Sequence, residues 1–254
     1  MKKHVPNFIT LLNLFCGCVA VLFAVDRMFE MVALFVFLGI VFDFFDGFAA
    51  RILNVKSELG LQLDSLADMV TSGLVPGIVM YQLLEMSLSG GWNTGASIEG
   101  SENMMLGGLA ITDLIPFMGF LITLASGYRL AQFNIDENQT DSFIGLPTPA
   151  NALLIISLPL ILWYQNNDLL NSIILNQWFL IGITLLSCWL LNANIKLFAL
   201  KFKNLSFKDN ALRYVFLIVS IVMLATLKYL AVPAILIFYI LSSIVSEKLS
   251  VAKK

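Results

Sequence analysis

The sequence predicts an all-α fold, a polytopic bundle of about eight transmembrane helices that forms one domain over residues 1–254. Three observations predict it. Of the 254 residues, 59% are hydrophobic and 13% are charged, whereas soluble domains contain about 45–50% apolar residues. Apolar segments of about 20 residues, the length that crosses a bilayer core, recur along the whole chain. No long linker or internal repeat separates these segments.

Each predicted span has its own sequence signals. The first follows a basic start and is interpreted as a retained span, because no small-residue cleavage site precedes a soluble domain. Two aspartates lie near the end of the second and two near the start of the third, and the fifth begins beside Pro147 and Pro149 and ends at Trp163 and Tyr164. Lys228 lies at the end of the seventh span, just before the eighth begins. The eight spans lie near 8–26, 31–50, 61–84, 105–127, 148–165, 174–195, 211–229 and 231–247.

The distribution of basic residues predicts the orientation. With the N-terminus in the cytoplasm, all of the 15 lysines and arginines except Arg27 and Lys228 face inward, and the loop near 85–104 has no basic residue. Such a bias favours an even number of spans with both termini in the cytoplasm, in the cytoplasmic (inner) membrane. A net charge of -2 gives no indication of nucleic-acid binding, which requires basic residues to neutralise phosphates.

Four aspartates form the main chemical feature of the sequence. Asp43 and Asp46 are three residues apart, and Asp64 and Asp68 are four apart, so each pair lies on one face of its helix. Two helices joined by a short turn can bring all four carboxylates together at the cytoplasmic end of the bundle. Such carboxylates repel one another unless they are neutralised, and hard oxygen ligands favour Mg, Mn or Ca. The sequence therefore predicts a divalent metal site.

The residues around the aspartates indicate a phosphate-containing substrate. Gly47 and Ala50 keep the helix slim beside Asp46, and Gly60 allows close approach to the second acidic helix. Arg51 supplies a guanidinium that can bind a phosphate with two hydrogen bonds. The aspartates have two other possible explanations. One is that the aspartates are helix caps and interfacial ion pairs, and the other is a cation transporter, although its acidic residues would be distributed over more helices.

Together these positions spell D-x2-D-G-x2-A-R-x8-G-x3-D-x3-D, beginning at Asp43 and ending at Asp68. This pattern resembles the signature of the CDP-alcohol phosphotransferase family without a departure. Within the family, the segments 4–17, 128–135 and 143–152 make the chain most similar to the membrane-embedded phosphatidylserine synthases of bacteria and archaea. The resemblance implies transfer of a phosphatidyl group from CDP-diacylglycerol to L-serine, with release of CMP. Synthesis of phosphatidylglycerol phosphate or an inositol phospholipid is the alternative.

The resemblance also implies roles for single residues and an assembly. The four aspartates would hold a pair of divalent ions, with Asp68 also acting as the general base. The resemblance implies a homodimer as well, with membrane lipids as partners. Arg129 and Asn134 could bind the serine carboxylate or a phosphate, with topology and helix capping as the alternative explanation. The residues expected to contact the CDP-lipid are Asn7, Thr10, Gly47, Ala50, Arg51, Ser57 and Gly60.

Overall fold

The structure, a computed structural model, describes residues 4–55, 57–89, 111–135, 143–165, 167–197 and 207–251. Over these residues the chain is almost entirely helical, as the sequence predicts. The longer helices are α1 (Val5–Val25), α2 (Phe29–Ile52), α3 (Glu58–Asp68), α4 (Val75–Leu88), α6 (Phe120–Ile135), α7 (Thr148–Tyr164), α9 (Gln177–Asn192), α10 (Phe207–Leu227) and α11 (Ala231–Val251). The short ones are α5 (Ile111–Leu114) and α8 (Asp168–Ile174).

Shorter elements connect the helices. A π-helical segment, Met69–Leu74, joins α3 to α4, and two 3-10 turns, Ile115–Gly119 and Lys228–Leu230, precede α6 and α11. Strands β1 (Phe143–Ile144) and β2 (Lys196–Leu197) pair antiparallel over two residues each. Most of the predicted outer loop and the predicted start of the fourth span, residues 90–110, lie outside the described residues.

Helix length and composition indicate fewer membrane crossings than the eight that the sequence predicts. Among the described residues, five helical segments are long and apolar enough to cross a bilayer, and six if the bent pair α8 and α9 is counted as one span. Helix α7 has 17 residues, fewer than the usual length of about 20. The segment Asn210–Ser246 counts as one in that total. Eight crossings therefore remain a prediction.

Helices α10 and α11 nevertheless fold back on each other. The rings of Phe216 and Phe238 stack with centroids 5.7 Å apart. In one straight helix, residues at these two positions would be separated by about 33 Å, at 1.5 Å per residue. The reversal occurs at the 3-10 turn, where Lys228 has a positive φ of 52°. The two helices thus form a hairpin, which is the arrangement expected for two separate spans.

Helix α1 packs through a face of small and polar residues. Its buried residues recur at helical spacing, which brings them to one side of the helix. A Cβ on Gly17 or on Gly39 of α2 would collide with Thr71 of the π-helical segment. The two glycines therefore let three backbones approach closely. The buried face of α1 consists of Pro6, Thr10, Asn13, Cys16, Gly17, Ala20 and Ala24.

The turn between α1 and α2 is fixed to α4 by polar contacts. Arg27 adopts a left-handed backbone conformation, with φ of 57°. Its Nη2 atom forms an ion pair with Glu85 Oε2 at 2.8 Å, and its Nε atom donates to Gln82 Oε1 at 2.5 Å. Gln82 in turn donates to the Val25 carbonyl at 3.0 Å. This end of the bundle is opposite to the end that carries the aspartates.

Candidate active site

Three of the four aspartates converge between α2 and α3. Asp43, Asp46 and Asp64 each offer a carboxylate oxygen, and these three oxygens lie within 4.8 Å of one another. The helical spacing of Asp43 and Asp46 brings both to one face of α2. The short turn after Ile52 returns the chain, so that α3 presents Asp64 to the same face.

These three residues fit a divalent cation. Asp46 is 6% exposed. Asp64 Oδ1 is buried and has no hydrogen-bond partner within the part of the chain that the structure describes. A buried carboxylate oxygen without a partner is costly, and a metal ion is one way to satisfy it. Because all the donors are hard carboxylate oxygens, the site suits Mg, Mn or Ca.

Asp68 lies one turn further along α3 and outside this group of three. Its Oδ1 atom accepts a hydrogen bond of 3.2 Å from Asn13 Nδ2 of α1. The Asn13 Oδ1 atom accepts from the Thr71 hydroxyl at 2.9 Å. The structure thus places Asp68 against α1 as well as beside the group of three, and the binding of metal by all four aspartates stays a prediction. Asp68 is therefore next to the group of three, and the Asn13 amide orients its carboxylate.

Helix α1 also contacts one of the three converging aspartates. The Thr10 hydroxyl donates a short hydrogen bond to Asp46 Oδ2. Thr10 was expected at the site, but Asn13 and Thr71 were not singled out from the sequence. The sequence marks Asn13 only as an amide in an apolar helix, three residues after Thr10 and on the same helix face, without indicating its partner.

The predicted CDP-lipid residues surround this cleft. The Ser57 hydroxyl caps α3 by accepting from the Gly60 N–H at 3.0 Å. A Cβ on Gly60 would lie 3.2 Å from Asn7 Oδ1, so Gly60 lets α1 approach the start of α3. Arg51 is exposed and donates through Nε to the Gly47 carbonyl at 2.9 Å.

Ala50 is half-buried and precedes Arg51 on α2. The Arg51 contact uses Nε, which leaves the two Nη groups as donors for a phosphate. The structure therefore brings these residues to the rim of the aspartate cleft, and lipid binding by them stays a prediction.

The two residues predicted to bind the acceptor lie in different surroundings. Asn134 Oδ1 accepts from the Ser65 hydroxyl at 3.1 Å, so Asn134 packs against the helix that carries Asp64 and Asp68. Arg129 Nη1 instead donates to the Leu191 carbonyl at the end of α9, at 2.7 Å. This contact is the capping role considered as the alternative for Arg129. The acceptor role of both residues stays a prediction.

Comparisons with known proteins agree with the site. The model of the family described as CDP-alcohol phosphatidyltransferase matches residues 3–190, which include all four aspartates. A Bacillus subtilis (strain 168) protein is 31% identical over 160 residues, or 61% of this chain and 75% of that protein. A Methanocaldococcus jannaschii protein is 30% identical over 183 residues, or 72% of this chain and 71% of that protein.

A third relative, from Helicobacter pylori (strain J99), is 33% identical over 153 residues, which are 59% of this chain and 55% of that protein. The match thus spans little more than half the length of this relative. All three are named CDP-diacylglycerol–serine O-phosphatidyltransferase. Because the family model covers most of the sequence and all of the aspartate cleft, the chain belongs to the CDP-alcohol phosphatidyltransferase family.

Proposed function

We propose that this chain transfers the phosphatidyl group of CDP-diacylglycerol to the hydroxyl of L-serine, forming phosphatidylserine and CMP. The observation that carries this proposal is the cleft in which Asp43, Asp46 and Asp64 converge and in which Asn13 orients the neighbouring Asp68. Further support comes from the relatives, which are named for this reaction. The acceptor is the part of the proposal that depends most on these relatives.

The four aspartates would hold divalent metal, Mg or Mn, as a pair of ions, and Asp43, Asp46 and Asp64 offer the three oxygens that lie closest together. Bound there, the metal would neutralise the charge of the pyrophosphate and of the leaving CMP. Thr10 fixes the position of the Asp46 carboxylate by donating to Oδ2. The chain thus contributes a preformed set of anionic ligands, which favours catalysis because little rearrangement is required during the reaction.

Asp68 is proposed as the general base. It accepts the proton of the serine hydroxyl as that oxygen forms a bond to the phosphorus that carries diacylglycerol, and the phosphorus–oxygen bond to CMP breaks. The Asn13 amide donates to Oδ1 of Asp68, which orients the carboxylate. A carboxylate that accepts one hydrogen bond keeps lone pairs for a further proton. One displacement completes the reaction without a covalent enzyme intermediate.

The surroundings of the cleft fit a substrate with a water-soluble end and a lipid end. Arg51 and Ser57 are exposed at its rim, where they can contact the CDP pyrophosphate. Phe44 and Phe48 lie on α2 beside Asp43 and Asp46, are 63% and 46% exposed, and stack on each other. Such an apolar surface suits contact with acyl chains in the bilayer.

The proposed setting is a homodimer of single-domain subunits in the cytoplasmic membrane. Each chain would cross the membrane eight times, with both termini and the aspartate cleft at the cytoplasmic face. The hairpin of α10 and α11 supports two crossings over Asn210–Ser246, where length and composition alone indicate one. The distribution of basic residues supports the orientation.

Release of CMP by the purified protein tests the reaction. With CDP-diacylglycerol and Mn or Mg, we expect CMP release with serine, and little with glycerol 3-phosphate or inositol phosphate. A chelator should stop the release. In the same assay Asp68→Asn should abolish turnover while CDP-lipid binding remains measurable, and Asp168→Asn, on the exposed start of α8, is the matched control.

Each part of the proposal is contradicted by a different result of this assay. CMP release with another alcohol but not with serine would disprove the acceptor and leave the family reaction intact. Full activity of Asp68→Asn would disprove the base assignment. No CMP release with any acceptor, from a protein that still binds CDP-diacylglycerol, would disprove the proposed transfer.

A further inference from the structure

A second feature lies at the end of the bundle opposite to the aspartates. A cavity of about 230 Å³ opens where the α1–α2 turn meets the end of α7. Pockets that enclose a drug-sized ligand have about 300–1,000 Å³, so this cavity suits a headgroup rather than a whole lipid. Its lining consists of Arg27, Met28, Phe29, Glu30, Met31, Leu160 and Trp163.

Arg27 gives the cavity a cationic group that is held in place. Its left-handed backbone, its ion pair with Glu85 and its hydrogen bond to Gln82 fix the guanidinium. Its Nη1 atom is buried and lacks a hydrogen-bond partner in the described ranges. A guanidinium nitrogen without an acceptor is unfavourable, and a phosphate oxygen is an acceptor that it binds strongly.

Glu30 and Trp163 give the same cavity a site for a cation. The Glu30 carboxylate accepts a hydrogen bond of 2.7 Å from the Tyr164 hydroxyl, and this contact leaves lone pairs for a further donor. Trp163 is 55% exposed, and an indole face attracts ammonium groups. A ligand that carries both a phosphate and an ammonium group therefore matches the cavity.

The charges around the cavity select among phospholipids. The charged residues of the lining are Arg27, with one positive charge, and Glu30, with one negative charge, so the lining matches a headgroup that carries both signs. This balance disfavours anionic headgroups. A carboxylate binds a primary ammonium through N–H donors, which a quaternary ammonium lacks. The matching headgroup is thus zwitterionic with a primary ammonium.

We propose that this cavity binds the headgroup of a phosphatidylethanolamine-type lipid. The phosphate lies toward Arg27 and the ammonium toward Glu30 and Trp163, while the acyl chains stay in the bilayer beside exposed apolar residues such as Met28. Because the cavity lies at the turn between α1 and α2, the bound lipid stabilises the α1–α2 hairpin. Helix α2 carries Asp43 and Asp46 toward its other end. This binding is independent of which alcohol accepts the phosphatidyl group.

Lipid binding to the purified protein tests this inference. Native mass spectrometry with phosphatidylethanolamine, phosphatidylcholine and phosphatidylglycerol of identical acyl chains should show preferential retention of phosphatidylethanolamine. Arg27→Asn should weaken that binding by about tenfold or more, and asparagine tolerates the left-handed backbone at this position. Lys228→Asn is the matched control, because Lys228 is an exposed cation with a similar φ of 52°, and it should leave the binding unchanged.

Glu30→Gln keeps the proposal testable if Arg27→Asn fails to fold. Glutamine retains an oxygen that can accept from Tyr164 but removes the charge, so we expect loss of the preference for phosphatidylethanolamine over phosphatidylcholine. Equal retention of the three lipids by the unaltered protein, or unchanged preference in Glu30→Gln, would overturn the proposal. Equal weakening by Arg27→Asn and Lys228→Asn would overturn the role of Arg27.

Discussion

Asn13 connects three helical elements through one side chain. Its amide nitrogen donates to Asp68 of α3, and its amide oxygen accepts from Thr71 of the π-helical segment. Because Asp68 accepts and Thr71 donates, the orientation of the Asn13 amide is determined by its two partners. An isosteric side chain without the N–H donor would therefore lose the contact to Asp68.

Asn13→Asp is expected to lower kcat by about 10- to 100-fold, the usual effect of removing a group that orients a ligand or catalytic residue. Aspartate has no N–H donor, and its charge would repel Asp68. The KM for CDP-diacylglycerol should change less, because Asn13 contacts the proposed base. Steady-state kinetics of CMP release measure both quantities.

Ser187→Ala is the control for this substitution. Ser187 is 1% exposed, and its hydroxyl has no hydrogen-bond partner in the described part of the chain. It should therefore retain normal kinetics. Equal kcat values for Asn13→Asp and the unaltered protein would show that Asn13 does not position Asp68.

At this scale the sequence predicted the acidic residues better than the residues that support them. Asp43, Asp46 and Asp64 were predictable as one group because helical spacing determines which faces they occupy. Asn13 was not, because one amide in an apolar helix has many possible partners. The contact between Arg129 and the Leu191 carbonyl depends on packing of distant helices, which spacing within one helix does not reveal.

At the scale of elements, close packing of α1, α2 and the π-helical segment supports the site. A Cβ on Gly39 would lie 2.7 Å from Thr71 Cγ2 and 2.8 Å from Asn13 Oδ1. These separations are shorter than normal van der Waals contacts, and Asn13 is itself held by hydrogen bonds. The interface therefore has no room for a methyl group at Gly39.

Gly39→Ala is expected to destabilise the protein by about 1–3 kcal/mol, the usual cost of overpacking. The matched control is Gly182→Ala in α9, where an added Cβ meets no atom within 4 Å. This control should be neutral or slightly stabilising, because alanine favours a helix by up to about 1 kcal/mol over glycine. Thermal unfolding in detergent compares the two. Equal melting temperatures would contradict the packing described for Gly39.

The helices themselves were predictable, whereas their irregularities were not. Apolar runs placed most helices within a few residues, since length and hydropathy determine which segments enter a membrane. The π-helical segment Met69–Leu74 was not predicted, because one additional residue in a turn does not alter the apolar character of the run. The bend of 62° between α8 and α9 was not predicted either, because a bend also leaves the apolar character of the run unchanged.

At the scale of the whole molecule, the hairpin of α10 and α11 distinguishes two topologies. If Asn210–Ser246 is a single crossing, Lys228 lies near the middle of the bilayer. In the eight-span topology it lies at the outer surface. In a background without native cysteines, a membrane-impermeant maleimide should label Lys228→Cys from outside and Glu58→Cys, at the start of α3, from the cytoplasm.

Lack of labelling at Lys228→Cys in intact cells, with labelling of both sites after the membrane is opened, would contradict the eight-span topology. The sequence predicted the apolar segments and the basic residues that orient them. It could not determine the number of crossings, because a crossing depends on where the chain reverses. The reversal at Lys228 is visible from the contact between Phe216 and Phe238, which are distant in sequence.

The first three helices supply the aspartates together with Thr10 and Asn13, which contact them, and the π-helical segment that follows supplies Thr71, which contacts Asn13. A ribosome synthesises this part before the helices that follow it, and N-terminal units of a chain commonly fold before the remainder. Contacts between residues near in sequence also form quickly, because little chain entropy is lost in closing short loops. The catalytic end of the protein can therefore assemble while the C-terminal helices are still being translated.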